Sequence, residues 1–80
     1  MHELALTQEI VSIACNAASG QRVHVVTLAV GKLSCVSPEA LEFCFDVVAH
    51  GTLAEKARLE IRRTDGDELH VMTLEIEEAA

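Results

Sequence analysis

The chain has no tryptophan, no tyrosine and two phenylalanines among its 80 residues, so a core must be assembled from Leu, Ile, Val, Ala and those two rings. Basic residues are scarce as well. Six Lys and Arg stand against 13 Asp and Glu, a formal charge of -7, and the acids crowd the closing stretch GDELHVMTLEIEEAA. A phosphate backbone draws on clustered Lys and Arg, so DNA and RNA are excluded as partners. No C-x-x-C pair occurs, and Cys15, Cys35 and Cys44 are odd in number and widely spaced. Neither a disulfide framework nor a thiolate zinc site is indicated, and the three are read as reduced thiols packed as small apolar groups. No apolar run approaches the roughly 20 residues of a membrane span, and the start lacks the basic and continuous apolar regions of a signal peptide. The expected location is the cytoplasm, away from membranes.

Eighty residues suit one small domain, and half of them are apolar. From Leu4 the apolar residues recur as Leu6, Ile10, Ile13, Ala14 and Ala17, the stripe of an amphipathic helix over 4–18 that Ser19-Gly20 ends. The β-branched run RVHVVTLAV predicts a strand over 22–30, its bulkier even positions Val26, Leu28 and Val30 facing the helices. Ser37-Pro38-Glu39 combines a capping oxygen, a proline preset for the first helical position and an acid suited to the helix dipole. A second helix over 38–50 follows, burying Leu41, Cys44, Phe45 and Val48 and stopping at Gly51.

The last third reads as a hairpin. Asp65-Gly66 is the preferred pair for a two-residue turn, which sets Ile61 opposite His70, Leu59 opposite Met72 and Ala57 opposite Leu74. The alternation then buries Ala57, Leu59, Ile61, Met72, Leu74 and Ile76, leaving Arg58, Glu60, Arg62, Thr73 and Glu75 on a solvated face. The expected fold is α+β: two helices packed on one face of a three-stranded mixed sheet, in the order α-β-α-β-β, with the first two strands parallel through a right-handed crossover.

Met1-His2-Glu3 is the stretch that carries chemistry. A free α-amine, the His2 amide nitrogen and the His2 imidazole close two adjacent chelate rings in one plane. Such a set suits Ni(II) or Cu(II), which displace an amide proton, whereas zinc prefers a tetrahedron. Glu3 offers a carboxylate or its own amide as the remaining donor, unless a partner supplies one. His2 is large, so an aminopeptidase should leave Met1 in place, and an N-terminal tag would abolish the site. The bland alternative is a solvated terminus in which Glu3 simply favours the helix dipole. His24 and His70, on strands, are read as partly buried and hydrogen-bonded, and His50 as a charge suited to the end of the second helix.

Three stretches, MHELALTQEIVSIA, RVHVVTLAVGKLSCVSPEALEFCFDVVAHGT and ARLEI, make almost the whole chain resemble the HypA/HybF family of nickel-incorporation proteins, which mature [NiFe]-hydrogenase and, in some organisms, serve urease. The middle stretch, with G-x-L-S-C-V, is the most specific, and GDELHVMTLEIEEA resembles the family's closing strand. The resemblance implies a metallochaperone that catalyses no reaction, binds nickel through His2 with Met1 and Glu3 beside it, and works with a maturation GTPase and the hydrogenase large subunit. It also implies a departure. The family's zinc domain, with its C-x-x-C pairs, is expected between about Arg63 and Asp67, and this chain passes there directly from IRRT into DGDEL. Residues 1–80 are therefore expected to form a single nickel-binding domain without structural zinc, as a monomer or as a homodimer that exchanges its final strand across a shortened hinge. The competing reading is a metal-free scaffold or interaction domain, keeping the fold and unable to deliver nickel.

Overall fold

The computed structural model describes residues 3–77. Helix α1 spans Glu3–Ala18, strand β1 Val23–Gly31, helix α2 Pro38–Ala49, strand β2 Arg58–Thr64 and strand β3 Leu69–Ile76, with one 3-10 turn at Lys32–Ser34. The α-β-α-β-β order and the mixed three-stranded sheet agree with the sequence expectation. None of the described helices is long and apolar enough to cross a membrane.

Strand β1 occupies the middle of the sheet, with β2 parallel on one side and β3 antiparallel on the other. A nearly continuous apolar strand loses most by lying at an edge, whereas strands that alternate in polarity tolerate one open side. That preference overturns the hairpin. β2 and β3 do not pair with each other, so Ile61–His70, Leu59–Met72 and Ala57–Leu74 are not neighbours. Residues 65–68 instead cross the end of β1. There Gly31 N donates to Glu68 O at 2.7 Å and Leu33 N to Gly66 O at 2.9 Å. A Cβ at Gly31 would overlap the Gly66 carbonyl, and this is why the last residue of β1 is glycine.

The helix-facing side of the sheet carries rungs Leu59–Val26–Leu74 and Ile61–Leu28–Val71. Val26, Leu28 and Val30 are wholly buried there, as their bulk predicted. The outer side carries Arg58–Val25–Glu75, Glu60–Thr27–Thr73 and Arg62–Ala29–His70. The polar face thus survives although the pairing behind it differs. Strand β3 departs from strict alternation because the register shifts between Thr27 and Leu28, where partners jump from Thr73 to Val71 and leave Met72 as the extra residue. Met72 and Ile76, expected inside, are exposed. A second shift leaves His24 extra in β1. His24 and His70 are both exposed rather than partly buried.

On α1 the buried stripe is Thr7, Ile10, Val11, Ala14 and Ala18, rotated from the expected one, so Leu4, Ile13 and Ala17 lie outside. α2 covers the adjacent face with Leu41, Phe45 and Ala49, while Cys44 and Val48 are half-buried. Phe45 is the largest of the fully buried side chains, and its burial is worth about 1.5–3 kcal/mol. The start of α2 forms as its sequence dictates: Ser37 caps it, with Oγ accepting from Ala40 N at 3.3 Å, and Pro38 follows.

Candidate metal centre

Of the three residues singled out for metal binding, Glu3 is described, while Met1 and His2 lie outside the described residues. Glu3 opens α1, an acid in the first turn where amide dipoles converge. Its carboxylate reaches across to α2: Ser37 N donates to Glu3 Oε2 at 3.3 Å. Ser37 is the cap of α2, and its hydroxyl also donates to Glu39 Oε2 at 3.3 Å. The beginnings of both helices therefore meet at one end of the molecule, with the Glu3 carboxylate between them.

A second contact holds the same turn from beneath. The wholly buried Thr7 places Oγ1 2.9 Å from the carbonyl oxygens of both Glu3 and Leu4, so the hydroxyl finds acceptors within its own helix. Burying a hydroxyl without such a partner would cost about 1–3 kcal/mol. Neither Ser37 as a partner of Glu3 nor Thr7 as an inner brace emerged from the sequence reading. Thr7 carried a signal all the same, since it stands at helical spacing from Ile10, Val11 and Ala14.

This arrangement bears on what Glu3 can do. A carboxylate drawn toward the Ser37 amide orients the first turn, and carboxylate oxygens and amide nitrogens are donor types that a metal can take. The positive pole of α1 opposes a cation, and deprotonation of an amide by Ni(II) offsets that opposition.

The other candidates are dispersed. His24 Nε2 lies 3.7 Å from Glu77 Oε1, and His50 Nδ1 lies 2.7 Å from Glu55 Oε2, each pair at a different place on the surface. Cys15 on α1, Cys35 before α2 and Cys44 on α2 are free thiols. Among the described residues, no group of three or more His, Cys, Asp or Glu is placed to hold a metal ion. An open cleft lies at the far end of the helix pair, walled by Val11, Cys15, Val48, Leu53 and Arg22.

Comparison with known proteins brings these observations together. The family described as "Hydrogenase/urease nickel incorporation, metallochaperone, hypA" matches residues 1–69. The hydrogenase maturation factor HypA of Geobacter sulfurreducens is 52% identical over 66 residues, covering 82% of this chain and 60% of that protein. The HypA of Crocosphaera subtropica is likewise 52% identical over 66 residues, covering 82% and 58%. The chain thus spans about three fifths of the length of these curated relatives. The solution structure of the Ni metallochaperone HypA from Helicobacter pylori superposes with a TM-score of 0.71, covering 98% of this chain and 88% of that one. At 14% sequence identity that likeness speaks to the fold.

Proposed function

Because the chain belongs to the HypA family of hydrogenase/urease nickel-incorporation proteins, we propose that Met1, His2 and Glu3 hold Ni(II) as a cargo ion and that the domain is the nickel-binding core of a hydrogenase-maturation factor. The observation that carries the reading is the position of Glu3 at the head of α1, drawn to the cap of α2 by the 3.3 Å contact with Ser37. The preceding two residues supply the amine, amide and imidazole nitrogens of a planar chelate, and the Glu3 amide or carboxylate completes it. A terminal site of this kind is shallow, and a carrier needs binding weak enough to release. The role is carriage of an ion rather than a catalysed reaction.

Family membership supports the partners and the location in this proposal. The expected partners are a maturation GTPase and the hydrogenase large subunit, in the cytoplasm, with urease as a further recipient. The short connection at 65–68 holds no C-x-x-C pair, so purified protein should carry zinc only at background level. Exchange of β3 between two chains would preserve its pairing with β1, and sedimentation separates monomer from swapped dimer.

Titration of nickel into protein with an authentic terminus, into His2→Ala and into protein whose α-amine is acetylated tests the reading. Binding should be present in the first and lost in the other two. Equal binding in all three would return the chain to the scaffold reading.

A further inference from the structure

Positive charge is not spread over this acidic protein. Of its six Lys and Arg, four lie within eight residues: Lys56, Arg58, Arg62 and Arg63. Three of these stand on β2, an outer strand of the sheet. Arg58 pairs with its neighbour Glu60 at 3.6 Å. The side chains of Arg62 and Arg63 have no hydrogen bond or ion pair among the described residues, although the chain has 13 acids to offer.

The two strand edges differ. β3 is interrupted by the extra residue Met72 and carries Glu75. β2 runs from Arg58 to Thr64 in unbroken register with β1, without a bulge or a proline. None of its backbone groups bonds outside the sheet among the described residues. Native proteins blunt an open edge with bulges, proline or charge. Here the device is net positive charge, three arginines against Glu60, and it disfavours basic strands while selecting an acidic one.

We propose that the β2 edge, with Arg62 on the outer face and Arg63 on the helix-facing side, docks an acidic extended peptide from a partner protein as an added strand. Backbone pairing supplies affinity, and side chains at alternate positions supply specificity. Arg62 and Arg63 pair with Ala29 and Val30 and so point to opposite faces at one end of the strand. Two successive acids in the incoming strand meet both arginines. On the helix-facing side the half-buried Leu59 and Ile61 ask for apolar residues at alternate positions. The formal charge of -7 does not forbid this, because charges more than about 8 Å away are screened at physiological salt.

The test uses the full chain and a fluorescein-labelled decapeptide alternating valine with glutamate and ending in Glu-Glu, read by polarisation. Saturable binding is expected, with new amide-exchange protection confined to 58–64. Arg62→Glu with Arg63→Glu should weaken it by about tenfold or more, equivalent to 1.4 kcal/mol. Arg22→Gln, an exposed cation elsewhere, should leave it unchanged, and a decapeptide with proline at its centre should not bind. Thermal unfolding of each variant separates a lost edge from a lost fold. No saturable binding, equal binding of the proline or an all-lysine peptide, competition by single-stranded oligothymidine, protection away from β2, or self-association that excludes the peptide would each overturn the proposal.

Discussion

Strand β1 and the first turn of α1 answer to opposite demands. β1 pairs along both sides, and Val26, Leu28 and Val30 are wholly buried. The polar contacts of the first turn of α1 include Thr7 from beneath and Ser37 from the side, and its carboxylate lies at the surface. Stability is concentrated in the strand and the helix residues above it, and the candidate chemistry in the turn. Perturbing one should leave the other largely intact.

The largest expected effect is on the stability side. Phe45→Ala removes the biggest buried ring and should cost about 3–5 kcal/mol in urea unfolding, a large share of what an 80-residue domain has. Any fraction that remains folded should still bind nickel with unchanged stoichiometry. Gly31→Ala comes next, since its Cβ meets the crossing connection at Gly66, and about 1–3 kcal/mol is expected by the same measurement. A wild-type midpoint for that variant would show that residues 65–68 do not press on β1. Ser37→Ala removes the α2 cap and should cost about 1 kcal/mol while keeping the amide that meets Glu3, so nickel binding should persist. Glu3→Gln is the smallest, about 0.3–1 kcal/mol through loss of charge at the head of α1. Its nickel titration decides between the donors: an unchanged isotherm assigns the Glu3 amide, and weakened binding the carboxylate.

How much of this could be read from the sequence follows the range of each interaction. Ser37-Pro38 and Gly51 set the limits of α2 through groups within a few residues, and the predicted limits agree with the observed Pro38–Ala49 to a residue. Strand pairing is decided at long range. Asp65-Gly66 favours a hairpin locally, yet the burial demanded by VHVVTLAV places β1 between the other two strands. The parity of β3 failed at Met72 for a related reason, because a bulge changes which face a residue occupies without altering composition. At the candidate site, residue types named Met1, His2 and Glu3, while the contact from Ser37 spans 34 positions and needed the fold to appear.

The most direct test is the absorption spectrum of nickel added to protein that begins with an unblocked Met1, recorded beside the same protein with its α-amine acetylated. A planar nickel band in the first and none in the second, with identical unfolding midpoints, is the result expected here. The same band in both, or none in either, would contradict the assignment of Ni(II) to the N-terminal amine and His2.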